Sequence, residues 1–199
     1  MAGFPPIRVM LNISGVQLRQ SDFVESVFRV LTDVGLDPQH VEFELTESVI
    51  MENAEMAIAS FRALKEKGIQ LCIDDFGAGY SSLSYLKKFP IHTLKIDRSF
   101  VQDLNRDPQS AAIIKSIISL AHNLNLRVVA EGVETKGQMA FLQECGCDHA
   151  QGFFIHVPEP SEGLTRMWQK EIALNLSCAS AGGVCNSPRR ESNRGLPNT

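Results

Sequence analysis

Acidic residues recur along this 199-residue chain, each set close to the end of a short apolar run: Glu44 with Glu47, Asp74 with Asp75, Glu131 with Glu134. Asn12, Lys95 with Asp97, and Gln151 hold the same kind of position. Taken singly, a carboxylate there is explained as a helix N-cap or a surface ion pair. Six such positions together point to one shared site. Burying so many carboxylates is costly for each ion unless it is compensated, so the set requires a cation. Oxygen donors without clustered His or Cys suit Mg²⁺ or Mn²⁺ better than zinc or copper. Neighbouring strand residues point to opposite faces, so Asp74 and Asp75 are expected to diverge, one toward each of two metals. That is the arrangement of two-metal phosphoester hydrolysis. The same alternation puts Glu44 on the face opposite Phe43 and pairs Lys95 with Asp97, either as an ion pair or as an active-site group.

The elements that must position these groups alternate between strand and helix. Six apolar runs read as strands: Ile7–Ser14, Val41–Glu47, Gln70–Phe76, Thr93–Phe100, Arg127–Glu134 and His149–Ile155. Each of the first five is followed by an amphipathic stretch long enough for a crossover helix. Asp107-Pro108 predicts a capped helix start, and Ile113, Ile114, Ile117, Ile118 and Ala121 then mark a buried face. Gly35, Gly68 and Gly146 fall just past predicted helices, where a left-handed residue ends the helix. Such alternation gives either an open doubly wound sheet or a closed β/α barrel. An open sheet gathers ligand groups at a switch point, whereas a barrel collects them from many strands at one rim, so polar tips on six strands favour the barrel. A barrel of this type has eight strands, and the sequence supplies about six.

Composition narrows the partners. With 19 Lys+Arg against 23 Asp+Glu the formal charge is −4, which is poorly suited to holding DNA through bulk electrostatics. A nucleotide bound through metal is compatible with it, because the cation supplies the positive charge. No run approaches a membrane span and none resembles a secretory signal. The five cysteines are odd in number and only Cys145 and Cys147 are close-set, which reads as reduced thiols in a cytoplasmic protein. Gly77 and Gly79 could suggest a phosphate cradle, but no Gly-Lys-Ser/Thr follows, so a lid or coupling loop is the better reading. Trp168 is expected to anchor a terminal helix. The body is expected over residues 1–174 and a disordered tail over 175–199, with Cys178 and Cys185 as incidental thiols.

The motifs resemble the EAL domain of cyclic di-GMP phosphodiesterases. The residues that carry the resemblance are Leu11-Asn12-Ile13-Ser14, Glu44-Leu45-Thr46-Glu47-Ser48, the segment Asp74 to Leu83, Leu94-Lys95-Ile96-Asp97, Ala130-Glu131-Gly132-Val133-Glu134-Thr135 and Gln151-Gly152-Phe153. The resemblance implies a modified TIM barrel and Mg²⁺- or Mn²⁺-dependent opening of cyclic di-GMP to linear pGpG. By position it implies Asn12, Glu44 and Asp74 as ligands of a first metal and Asp75 on a second. Lys95 corresponds to a lysine near the attacking water, Glu131 to a general base or water-orienting carboxylate, Glu134 to its acidic companion and Gln151 to a water-positioning glutamine. Glu47 corresponds to the anchor of the loop holding Gly77, Gly79, Tyr80 and Ser81, which couples a possible homodimer to the metal site.

One departure stands out. The Glu-x-Leu strand that names the family, with a further metal carboxylate, is expected well before Asn12, where only eleven residues stand. An incomplete barrel with two unpaired edges and impaired hydrolysis is the expectation that follows. Smaller departures are Ala78, Phe153 and the segment His156 to Pro160. The competing readings are a catalytically inactive module that binds cyclic di-GMP or a protein, and, less well supported, a metal-dependent lyase of the enolase type. A cyclase or sensor domain in a longer parent protein is compatible with either of the first two.

Overall fold

A computed structural model describes residues 7–79, 83–104 and 106–167. The chain opens with strand β1 (Val9–Asn12), followed by α1 (Gly15–Leu18), α2 (Phe23–Val34) and a 3₁₀ turn at Pro38–His40. Next come β2 (Val41–Thr46), α3 (Glu47–Glu52), α4 (Ala54–Glu66), β3 (Gln70–Phe76) and the single turn α5 (Leu83–Leu86). The last part holds β4 (Thr93–Ile96), α6 (Arg98–Asp103), α7 (Pro108–Asn123), β5 (Arg127–Ala130), α8 (Lys136–Glu144) and β6 (His149–Ala150).

Among the described residues the six strands form one sheet in the order β1-β2-β3-β4-β5-β6, with every neighbouring pair parallel. This is the expected α/β architecture, a curled half-barrel with helices on its outside. Sequential parallel strands joined by helices follow from the right-handed crossover rule. β1 and β6 each pair on one side, and Val9, Met10 and Leu11 are all more than 40% exposed.

The strands are shorter than the apolar runs suggested, because their polar tips begin the next element. Ser14 and Asp97 leave the sheet to cap α1 and α6, each accepting a backbone N–H with its side chain. Asp107 caps α7 as expected, and Gly35, Gly68 and Gly146 take left-handed φ values of 66°, 97° and 76°. On α7 the buried face is Ile114, Ile117, Ile118 and Ala121, while Ile113 faces outward and is 38% exposed. One position of offset along a helix is about 100°, enough to leave the apolar stripe.

The core lies between the outer face of the sheet and the helices. Val41, Phe43, Leu45, Leu71, Ile73, Leu94, Ile96 and Val128 meet Ala57, Phe61 and Leu64 of α4 and the buried face of α7. These strands alternate apolar residues toward the helices with polar ones toward the inside of the curl, which is why Glu42, Glu44, Asp74, Thr93 and Lys95 are buried yet outside the apolar core. The sheet and its helices form one compact unit that ends at Val157; a second unit begins at Pro158, and its described part is helical over residues 161–167. Among the described residues no helix is long and apolar enough to cross a membrane. Trp168, Cys178, Cys185 and the boundary after residue 174 lie outside the described residues.

Candidate active site

Parallel register stacks the inward side chains in layers. Asn12 stands opposite Glu44, Glu44 opposite Cys72, Cys72 opposite Thr93 and Thr93 opposite Arg127. One layer further toward the strand ends lie Asp74 and Lys95, with Glu131 just past the end of β5. Lys95 is the centre of this layer. Its ammonium reaches Glu44 Oε1 at 3.0 Å and Asp74 Oδ1 at 3.4 Å, and it also touches Glu131 Oε1. Glu44 Oε1 is buried without a hydrogen-bond donor of good geometry, so the ion pair with Lys95 is what compensates it.

The expected pairing of Lys95 with Asp97 is not what forms. β4 ends at Ile96 and Asp97 turns away to cap α6, accepting from the Ser99 amide at 2.8 Å. Lys95, still within the strand, stays on the inner face. The divergence expected of Asp74 and Asp75 is also absent. Asp75 has a left-handed φ of 54° and the sheet register slips between Ile73 and Phe76, so the extended alternation fails at this point. One oxygen each from Asp74, Asp75 and Glu131 then lies within 4.8 Å of the other two. The Asp75 amide donates to Asp74 Oδ1 at 3.0 Å. A positive φ at a non-glycine residue is strained and recurs at functional sites.

The electrostatics follow from this crowding. Burial, then the adjacent Asp74 carboxylate, push Asp75 above the usual carboxylate range, and its carboxyl shares a hydrogen bond with Asp97. Burial alone would raise Asp97 too, but hydrogen bonds from Ser99 and Asp75 hold it below its ordinary value. Glu131 is raised, chiefly by burial, with Lys95 opposing. For Lys95, burial works against the charged form and is outweighed by Glu131, Asp74 and Glu44, which together raise it.

Glu47 begins α3 and is buried, and its Oε2 accepts the Gly77 amide at 3.2 Å. Gly77 has φ 96° and a Cβ there would stand 3.0 Å from the Phe100 ring, so the loop's path requires glycine. Gly79 lies against the same Glu47 carboxylate, 3.7 Å from a would-be Cβ. Tyr80 and Ser81 lie outside the described residues. At the rim Asn12, Glu134 and Gln151 are exposed. Glu134 leads into α8, its amide donating to Gln138 Oε1 at 2.8 Å, and the Gln151 amide bonds Ala130 O at 2.9 Å.

Sequence reasoning missed the layer beneath. Glu42 is 1% exposed and faces Arg8, with Cys72, Gln70, Thr93 and Arg127 around the same inner floor. The signal was present, since the alternation that turns Glu44 inward also turns Glu42 inward two residues earlier. Cys72 is a buried thiol whose pKa is driven far up by burial and by Glu42 and Glu44, so it is inert. A groove of about 650 Å³ at the opposite, N-terminal rim is lined by Lys65, His92 and Arg127 among others and contains none of the site carboxylates.

The fold agrees with the comparisons. The family model described as "EAL domain" matches residues 1–158, and the chain belongs to that family. It is 47% identical over 156 residues to the signaling protein YkoW of Bacillus subtilis, covering 78% of this chain and 20% of YkoW. It is 43% identical over 156 residues to MucR of Pseudomonas aeruginosa, named a bifunctional diguanylate cyclase/cyclic di-GMP phosphodiesterase, covering 78% of this chain and 23% of MucR. The solved MucR phosphodiesterase in complex with c-di-GMP superposes with a TM-score of 0.77 at 43% identity, over 79% of this chain and 64% of that one. BlrP1 of Klebsiella pneumoniae, solved with manganese and cyclic di-GMP, superposes with a TM-score of 0.68 at 34% identity, over 73% of this chain and 37% of that one. The chain thus spans about a fifth of the length of the curated relatives it matches.

Proposed function

We propose that this chain is a cyclic di-GMP phosphodiesterase domain that hydrolyses one phosphodiester of the ring to give linear pGpG. The observation that carries the reading is the convergence of Glu44, Asp74, Asp75 and Glu131 on one rim, with Lys95 among them. Three carboxylates around one ammonium, with Asp75 beside them, leave an excess of negative charge, and a doubly anionic substrate would add to it. An all-oxygen donor set with that excess fits Mg²⁺ or Mn²⁺. Asp74, Asp75, Glu44 and Asn12 are the residues we assign to holding two such ions. When bound, divalent ions supply Lewis-acid charge at the phosphodiester and make water more acidic.

The chain's own residues do the rest. Glu131 Oε, its proton affinity increased by burial, takes the proton of the attacking water and lies within reach of the same carboxylate group. Lys95 holds the Glu131 carboxylate in place and supplies positive charge for the oxygens of the pentacoordinate phosphorus. Water adds to phosphorus, one P–O ester bond breaks, and the departing sugar oxygen takes up a proton. Gln151 and Glu134 at the rim orient water and substrate. Glu47, through Gly77, fixes the loop after Asp75, and the loop carries contact with a second copy of the chain to the site.

The share of multidomain relatives that this chain matches, MucR among them, supports a cyclase or sensor domain joined to this one in a longer protein. A nucleotide substrate and the free Cys72, Cys145 and Cys147 support a cytoplasmic setting. The test is incubation of the full chain with cyclic di-GMP and Mn²⁺, resolved by chromatography. The expected product is pGpG, lost without metal and in Asp74→Asn. Binding of cyclic di-GMP without pGpG would assign the chain to the receptor reading, and neither binding nor product would contradict both.

A further inference from the structure

Lys95 extends from β4 across the inner face of β3 to reach β2. Its ammonium has three N–H donors, and three carboxylates from separate parts of the sheet surround it: Glu44 on β2, Asp74 on β3 and Glu131 after β5. The Lys95 side chain is 4% exposed, so water does little to replace those partners. Asp74 and Glu131 also belong to a second grouping, because with Asp75 they present oxygens within 4.8 Å of one another. The ammonium cage and the carboxylate triad therefore share two of their three members.

We propose that Lys95 is an internal counter-ion that competes with divalent ions for Glu44 and Asp74 and thereby sets how tightly the site holds metal, an inference that rests on the metal-dependent reading above. In the metal-free protein the ammonium relieves the mutual repulsion of Glu44, Asp74 and Glu131. A divalent ion drawn to Glu44 and Asp74 meets like charge a few ångströms away, in surroundings where charge is poorly screened. One side chain thus stabilises the metal-free chain and weakens its affinity for metal. A lysine with a purely structural role would support both states alike.

The test uses the full chain, Mn²⁺ alone as the probe, and Lys95→Met, which keeps the length and removes the charge. The thermal midpoint of metal-free Lys95→Met is expected to fall below that of the wild type. Calorimetry is expected to show Mn²⁺ binding tightened about tenfold, with a larger Mn²⁺-induced rise in midpoint. Lys95→Arg keeps the charge and is expected to bind Mn²⁺ no more tightly than the wild type. Should Lys95→Met fail to fold, the wild type still decides. The Lys95 ammonium signal in ¹⁵N NMR, slow to exchange without metal, is expected to shift and exchange faster as Mg²⁺ saturates. Unchanged or weakened Mn²⁺ binding in Lys95→Met, or an ammonium signal that Mg²⁺ does not move, overturns the competition while leaving the metal site standing. Absence of Mn²⁺ binding in every protein overturns the metal-dependent reading and this inference together.

Discussion

The Gly77 amide donates to Oε2 of Glu47 at 3.2 Å, a link across 30 positions of sequence that joins the loop after β3 to the first residue of α3. Asp74 and Asp75 lie at the end of β3, immediately before that loop, so whatever holds the loop also holds the backbone from which both carboxylates project. A hydrogen bond to a buried carboxylate is worth roughly 1.5–3 kcal/mol.

Glu47→Ala is therefore expected to loosen the loop before it loosens the fold. Amide hydrogen exchange over Phe76–Gly79 should rise by about tenfold or more, in line with one charge-assisted hydrogen bond. Exchange in β2 should stay near the wild-type rate. Cyclic di-GMP hydrolysis should fall with the loop. Equal acceleration across β2 and the loop would show that Glu47 supports the whole domain.

His92 gives the pH dependence. Burial, then the charges of Lys65 and Arg127, lower its pKa, with Glu42 opposing, and its Nδ1 accepts the Leu71 amide, which requires the unprotonated nitrogen. Above the unfolded-state value of about 6.5 the ring is neutral in both states and adds no pH dependence. As pH falls below that value the unfolded chain takes up the proton first, so stability declines until the folded value is passed and then levels off. Denaturation midpoints of the wild type are expected to fall across this window by more than those of His92→Asn. Parallel profiles would show that His92 has no part in the pH dependence.

Phe61 is fully buried on α4 and packs against Phe89, with ring centroids 6.0 Å apart. Phe61→Ala is expected to cost about 3–5 kcal/mol of unfolding free energy, measured by urea denaturation. A loss under about 1 kcal/mol would mean the helix layer can close over the gap.

At Gly152 a Cβ would stand 2.2 Å from the Val133 carbonyl oxygen and 2.3 Å from its amide nitrogen, both backbone atoms that cannot swing aside. The same stretch carries the Val133 N–H to Gln151 O bond at 3.0 Å. Gly152→Ala is expected to separate β5 from β6 and to lower both thermal stability and hydrolysis, since Gln151 moves with it. Wild-type stability in this variant would contradict the packing described.

Strand number was legible because the apolar runs ending in polar residues are what a parallel sheet with covered outer faces requires. The capped start and buried face of α7 were legible from Asp107-Pro108 and the isoleucine spacing, with Ile113 one position beyond the stripe. The resemblance to the EAL family brought the site residues together by position, and family membership is now established. Two relationships inside the site were not legible. Lys95 meets Glu44 across an intervening strand, a contact set by the curl of the sheet, which alternation along one strand does not encode. Asp75 turns toward Asp74 because its backbone enters a conformation that its side-chain type does not announce.

The proposed chemistry depends on Asp74 and Asp75 gathering divalent cations beside Glu131. Anomalous diffraction at the manganese edge, from crystals of this chain grown with Mn²⁺ and cyclic di-GMP, tests that directly. A strong peak bounded by oxygens of Asp74 and Asp75, and missing in Asp74→Asn, is the predicted result. A map with no peak at those oxygens while cyclic di-GMP is bound elsewhere would contradict it.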